Sequence, residues 1–311
     1  MRKSSVYLPD NLKKRLGALA ERTGVSEAEL IREAIEQRLG AAERTRPTEP
    51  AVPGRLVGIG VGPGPADLVT VRALDALRRA DRVVAPCTSI DAVGRAEAII
   101  REAAPDVVVE RLVFVMAPDH EARAAALASV CDRIAGWLDD GDEVAFITLG
   151  DPNLYSTVST VVAGVLARRP TTEVETIAGI TAFQALAMAG EVVLTDEQQT
   201  LVLVPASAPG DVIDAELAHR DRTVVLYKGG GRLAAVAGRL EAADRLDDAV
   251  LGELIGMPGE RVAPVADVRD RPSSYLSAII SPAPEGAGPV PPPTADATGT
   301  PVPADAEGTV A

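Results

Sequence analysis

The stretch GDPNLYST, Gly150 to Thr157, follows the apolar run Val144-Ala145-Phe146-Ile147-Thr148-Leu149. The run is short, rich in β-branched and aromatic residues, and introduced by Asp140-Gly141-Asp142. It therefore reads as a buried strand whose carboxyl end opens into a Gly-Asp-Pro turn. Ligands of open α/β sheets sit at such strand ends. Gly150 lets a ligand approach the backbone, Pro152 fixes the chain direction, and Asp151 and Tyr155 bring polar groups to the mouth. The competing reading is an ordinary strand-to-helix turn with an Asp cap.

Working outward, strands are predicted at Arg55 to Val61, Val83 to Ala85, Val107 to Leu112 and Val174 to Ile177. Helices are predicted between them, around residues 71–77, 92–102, 121–138 and from 155 to near Arg169. This β-α alternation argues for a parallel or mostly parallel sheet. The second half adds strands at Thr200 to Pro205, Thr223 to Tyr227, Val250 to Leu254 and Ser274 to Ile280, and a helix carrying Leu233, Val236 and Leu240. After Ser281 the chain turns to Pro, Ala, Gly and Thr without apolar periodicity, the pattern of a disordered tail over 282–311.

The Gly-rich loop after the first strand, Gly58 to Gly64, invites a dinucleotide reading, which its spacing refutes. The third glycine of G-x-G-x-x-G would fall at Pro63 or Pro65, and proline has no N–H to offer a pyrophosphate. The acidic residue near the second strand, Asp81, precedes that strand, whereas a ribose-binding acid would follow it.

Of 311 residues, 47% are hydrophobic and only 3% aromatic, so the cores are built from Val, Leu, Ala and Ile. No apolar run approaches the length of a bilayer span, and Met1-Arg2-Lys3-Ser4-Ser5 leads into a charged helix, which reads as cytoplasmic. Cys87, Cys131, His120 and His219 lack metal-ligand spacing, so no metal is expected. Charge divides unevenly: residues 1–46 carry a net +3 and the remainder −17.

The basic head alternates from Lys3 to Leu8, continues into a helix with Leu12, Leu16, Leu19 and Ala20 that Thr23-Gly24 stops, and restarts at the capping box Ser26 to Glu29. Strand, helix, helix in about forty residues cannot close a core alone. The order resembles the ribbon-helix-helix family, whose paired strands enter the major groove. That resemblance implies that Lys3, Ser5 and Tyr7 face the bases; such heads also serve simply to dimerise. Prolines 47, 50 and 53 mark a linker. The organisation expected is thus a head at 1–40, a linker at 41–54, α/β domains at 55–190 and 191–281, and the tail.

The body carries an ordered set of motifs: Gly60-x-Gly62-Pro63-Gly64-x-x-Asp67-Leu68-x-Thr70, Ala80-Asp81-x-Val83, Gly150-Asp151-Pro152 and Gly179-Ile180-Thr181-Ala182. On these it resembles the tetrapyrrole methyltransferases of cobalamin and sirohaem biosynthesis, with Ala178 standing where that family usually has proline. The resemblance implies a two-domain α/β homodimer that binds S-adenosylmethionine in a cleft and methylates an electron-rich carbon of a tetrapyrrole polycarboxylate. Carried over, Gly150, Asp151 and Pro152 would lie against the methionine part of the donor and Thr181 and Ala182 against the adenosine. Tyr227 and Lys228 would add contacts from the second domain, and Pro63 would line the cleft toward the tetrapyrrole. Tyr155 and Asp151 are the candidates to take the lost proton, with packing and capping as their competing roles. Lys228, Arg232 and Arg111 are candidate partners for substrate carboxylates, against the alternative of solvated surface charge. A regulator that senses a corrinoid or the donor and acts through the head is the reading from another class.

Overall fold

The first sheet is built from β1 (Arg55–Gly60), β2 (Arg82–Cys87), β3 (Val109–Val113), β4 (Val144–Thr148) and β5 (Glu173–Ile177) in a computed structural model. The structure describes residues 9–32, 34, 54–114, 120–196, 198–229 and 231–284. The strand order is β3-β2-β4-β1-β5 and every pair is parallel, as the β-α alternation requires. Alternate residues of the strands face opposite cores. Val57, Ile59 and Ile147 pack with Ala76 and Leu77 of α2 (Val71–Arg79) and Ile100 of α3 (Arg95–Ala103). Leu56, Val84 and Phe146 pack with Ile134 and Leu138 of α4 (His120–Asp139) and Val161 of α5 (Val158–Leu166). Because both faces are covered, all five residues of β4 are buried.

Two of the sequence motifs turn out to be devices of assembly. Thr70 caps α2, its hydroxyl accepting from the Ala73 N–H at 3.2 Å. Asp81 accepts from the Glu143 N–H at 2.9 Å and so ties the start of β2 to the residue before β4.

After α6 (Ala182–Ala189) the chain builds a second sheet from β6 (Thr200–Pro205), β7 (Arg222–Tyr227), β8 (Val250–Glu253), β9 (Arg261–Pro264) and β10 (Ser277–Ser281). Its order is β6-β7-β10-β8-β9; β6 and β7 are parallel and the other pairs antiparallel. Phe183 and Leu186 of α6 pack against Val225, Ala278 and Ile280 on one side of this sheet. The opposite side is covered by α7 (Gly210–Leu217), α8 (Leu233–Ala242) and α9 (Val265–Val268), through Ile213, Leu217, Val236, Leu240 and Val265. Sequence reading found neither β9 nor α7. It also began β10 three residues early, because the Ser274 N–H is taken by the Glu253 carboxylate instead of a neighbouring strand.

The chain divides into two compact units, Met1–Val52 and Pro53–Ala311. In the first, α1 (Asp10–Thr23) ends at Gly24, whose φ of 71° suits glycine. The Ser26 hydroxyl then accepts from the Glu29 N–H at 3.2 Å, and residues 27–32 are helical. None of the described residues of this unit is buried, which fits a segment too short to enclose a core. The expected strand with Lys3, Ser5 and Tyr7, residues 41–53 of the linker expected at 41–54 and residues 285–311 of the tail expected at 282–311 lie outside the described residues. The start of that expected tail is packed instead: Pro282 and Ala283 are buried, and the Ala283 N–H donates to the Thr223 hydroxyl at 3.0 Å. No described helix is long and apolar enough to cross a membrane.

Candidate functional site

Three backbone segments meet at the carboxyl ends of β1, β4 and β5. A Cβ built on Gly60 would stand 2.5 Å from the Gly150 carbonyl oxygen and 2.7 Å from the Gly179 nitrogen. One built on Gly179 would overlap that same oxygen and lie 2.8 Å from the Gly60 Cα. No side chain fits, so the three motifs share one contact of main chain on main chain. Gly62 and Gly150 exchange hydrogen bonds, Gly150 N–H to Gly62 O at 2.7 Å and Gly62 N–H to Gly150 O at 3.3 Å. Asp151 completes the junction. Its Oδ1 accepts from the Asn153 N–H at 2.8 Å and its Oδ2 from the Gly179 N–H at 3.0 Å. The carboxylate thus ties the Gly-Asp-Pro turn to the turn that Ala178 precedes.

Above this junction, between the two sheets, lies a cavity of about 290 Å³. Its first-half wall includes Pro63, Gly150, Asp151 and Tyr155. Thr181 and Ala182 close the floor at the start of α6, and Tyr227 and Lys228 form part of the second-half wall. Pro152 is buried beneath the turn and does not line the space. Gly150 itself has φ 70°, and the nearest atom to a Cβ there would be the Ile180 oxygen at 4.0 Å, so its open side is free for a ligand.

Five described non-glycine residues have positive φ, and three of them line this cavity: Tyr155 at 50°, Lys228 at 59° and Leu254 at 51°. Such backbone costs about 1–3 kcal/mol per residue and persists where surrounding structure holds it. Here the Lys228 N–H donates to Ser277 O and the Leu254 N–H to Leu276 O, each at 3.1 Å. The Lys228 ammonium rests 5.5 Å from the centre of the Tyr155 ring, and that ring lies 5.4 Å from the Tyr227 ring. The Tyr227 hydroxyl accepts from the Phe183 N–H at 3.2 Å. Burial pushes both phenols above their ordinary pKa, so both hydroxyls keep their protons at neutral pH.

The structure does not bring the other two predicted cations to the cavity. Arg111, on β3, donates from Nε at 2.6 Å and from Nη2 at 2.9 Å to the buried carboxylate of Glu97, and from Nη1 to the Ile90 carbonyl. That pairing, with help from Arg101, holds the Glu97 carboxyl below its usual range. Arg232 is exposed at the start of α8. Sequence reasoning missed Leu254, Ile255 and Met257, which line the cavity because the Gly64 loop seats directly on this turn. A Cβ on Gly64 would meet the Gly256 oxygen at 2.8 Å. Only the glycines signal that approach, and glycine spacing does not say which backbone is approached. Among the described residues no group of three or more His, Cys, Asp or Glu is placed to hold a metal ion.

Comparison with known proteins matches residues 55–268 to the family of tetrapyrrole (corrin/porphyrin) methylases. Residues 5–42 match the ribbon-helix-helix proteins of the CopG family. A cobalt-precorrin-2 C(20)-methyltransferase of Salmonella typhimurium is 32% identical over 233 residues, covering 73% of this chain and 95% of that protein. A precorrin-2 C(20)-methyltransferase of a Sinorhizobium species is 29% identical over 242 residues, covering 74% of this chain and 95% of the relative. Among solved structures, uroporphyrin-III C-methyltransferase from Thermus thermophilus, complexed with S-adenosyl homocysteine, superimposes with a TM-score of 0.52. It is 20% identical, with 73% of this chain and 97% of that one covered. A cobalt precorrin-4 methyltransferase gives 0.54 at 24% identity, covering 73% and 94%. At these identities the two structures show a shared fold alone.

Proposed function

The chain belongs to the tetrapyrrole methylase family, and from that membership we propose that it methylates precorrin-2, or its cobalt complex, at C(20). The product is precorrin-3A or its cobalt form, a step of cobalamin biosynthesis, and the donor is S-adenosylmethionine. The observation that carries this reading is the alignment with the Salmonella C(20)-methyltransferase over 95% of that protein's length.

The residues present fit the donor. Gly150 leaves its cavity side open, and the Ser277 hydroxyl on the cavity wall is buried with no hydrogen-bond partner among the described residues. We assign Gly150 and the Asp151 turn, with Pro152 beneath it, to the methionine end, and Thr181 and Ala182 to the adenosine. The backbone at Tyr227 and Lys228 and the Ser277 hydroxyl contribute from the facing sheet, and Pro63 from the buried loop after β1. When bound, the donor supplies an electrophilic methyl on sulfur. What the chain supplies is position: the reacting atoms must be held about 3–3.5 Å apart and in line, in a site that Leu149, Leu154 and Ile255 make apolar.

A meso carbon of this acceptor is already nucleophilic, so only a proton lost after transfer needs an outlet. Asp151 has both oxygens committed to backbone N–H groups and Tyr155 is kept neutral, which makes them positioning groups; the proton leaves to water at the mouth. The acceptor is a polycarboxylate and the chain carries a net −14, so attraction must be local. Lys228 is the one cation lining the cavity among the described residues, and we assign it to an acceptor carboxylate. The enzyme works as a homodimer.

Incubation of the purified chain with S-adenosylmethionine and precorrin-2, with and without cobalt, is expected to add a single methyl by mass. Donor binding without any methyl gain on either acceptor rejects the reading.

The ribbon-helix-helix match favours a second activity carried by residues 1–40, DNA binding through Lys3, Ser5 and Tyr7. Salt-sensitive retention of an operator fragment by the full chain, lost on deleting residues 1–40, is the expected result. Equal retention by the truncated chain contradicts it.

A further inference from the structure

The chain has four tyrosines in 311 residues, and three of them, Tyr155, Tyr227 and Tyr275, line the one cavity described above. In a protein with 3% aromatic residues that concentration calls for a ligand with a flat face. Tyr227 forms the inner wall, its ring set edge-on to Phe183. The other two are at the mouth and half open to water: Tyr155 is 42% and Tyr275 57% exposed. Tyr155 already has two neighbours, the Tyr227 ring and the Lys228 ammonium. Tyr275 has no ring or cation partner among the described residues.

The short segment that carries Tyr275 is nonetheless fixed from below. Glu253, only 5% exposed at the end of β8, accepts from the Ser274 N–H through Oε1 and from Arg261 Nε at 2.6 Å through Oε2. Arg261 Nη2 donates onward to the Pro272 carbonyl at 3.3 Å, and the Leu254 N–H to the Leu276 carbonyl at 3.1 Å. The buried carboxylate thus secures Ser274 before the ring, and the Leu254 N–H secures Leu276 after it. Such a build presents an aromatic face without the entropy loss of ordering it on binding.

We propose that Tyr275 is an acceptor-binding platform whose ring stacks on the conjugated face of the tetrapyrrole, and that Glu253 is its positioning residue. The proposal rests on the methyltransferase reading of this cavity, and its test separates the two. Tyr275→Ala is expected to raise KM for precorrin-2 about 5- to 10-fold, the size of an aromatic contact, with kcat and the Kd for S-adenosylhomocysteine held within about 2-fold. Tyr275→Phe keeps the ring and is expected to behave as wild type. Glu253→Gln shifts KM in the same direction, and the double variant is no worse than Tyr275→Ala alone, because both act through one ring.

Uroporphyrin III serves as a probe that needs no turnover, its binding followed by absorbance. If the wild type binds it and Tyr275→Ala binds it about 5- to 10-fold more weakly while precorrin-2 is never methylated, the functional reading falls and the platform stands. The platform is overturned if the wild type does not bind the porphyrin, if Tyr275→Ala binds it undiminished, or if Tyr275→Phe loses as much as Tyr275→Ala. It is also overturned if S-adenosylhomocysteine affinity falls in parallel.

Discussion

Replacing Gly179 by alanine is expected to lower the unfolding free energy by about 3 kcal/mol or more and to abolish binding of S-adenosylhomocysteine. The added Cβ would overlap the Gly150 oxygen and stand 2.8 Å from two main-chain atoms of Gly60. Flexible side chains yield to such contacts at small cost; these are backbone atoms of two parallel strand ends, fixed by the β1–β4 and β1–β5 pairing. Relief requires moving the Gly150 carbonyl or the Gly179 amide. Either motion breaks the Asp151 bond to the Gly179 N–H and tilts the turn that forms the cavity floor. Gly136 gives the control. It lies exposed in α4, and a Cβ added there would have nothing within 4 Å, so alanine is expected to stabilise by about 0.5–1 kcal/mol. Urea midpoints of the two variants, with calorimetric titration of S-adenosylhomocysteine, check both statements. A Gly179→Ala protein with wild-type stability and affinity would mean that the three-glycine junction is not what shapes the site.

The second large effect is expected at Arg245, which is 2% exposed and has no carboxylate within ion-pair distance among the described residues. Its guanidinium is held by carbonyls instead. Nη1 reaches Leu217 O at 3.2 Å and His219 O at 3.5 Å, while Nη2 reaches Arg222 O at 2.7 Å, Ser281 O at 2.8 Å and Pro282 O at 2.7 Å. One side chain therefore gathers the end of α7, the start of β7 and the end of β10. Burial lowers its pKa to about 10, with nearby Arg220 acting in the same direction, so it remains charged at neutral pH. Arg245→Leu removes the donors and leaves buried carbonyls unpaired, at about 1–3 kcal/mol each where water does not enter, for an expected loss of about 3 kcal/mol or more. Arg245→Lys keeps the charge but not the planar fork, and is expected to fall between. Denaturation midpoints for the three proteins test the order; equal midpoints for Leu and wild type contradict it.

The parallel sheet was legible because each strand is a short β-branched run followed by a helix with apolar 3.6-residue spacing. The buried run at 144–149 and the glycines after it pointed to the carboxyl end of the sheet, where the cavity lies. Less visible were elements whose pattern is weak: β9 has four residues ending in proline, and α7 begins at Gly210 without a polar cap. The destinations of charged side chains were not legible either. Arg111 looked like a ligand-facing cation at a strand end, yet its partner Glu97 lies fourteen positions earlier on a helix, and only the fold sets the two side by side. The same holds for Asp151, whose bond to the Gly179 N–H spans twenty-eight positions. Glycine spacing identified three turns without revealing that they touch, and nothing in the sequence around Tyr275 signals that contacts from Glu253 and Leu254 hold its segment on the cavity wall.

Methyl transfer to C(20) sets this chemistry apart from methylation at other positions of the ring. The most direct test supplies S-adenosylmethionine labelled with carbon-13 in its methyl, adds precorrin-2 and the full chain, and reads the position of the label in the product by NMR. The expected product carries a single enriched methyl on the meso carbon C(20). Label at any other ring position, or donor bound with no labelled tetrapyrrole formed, would contradict that expectation.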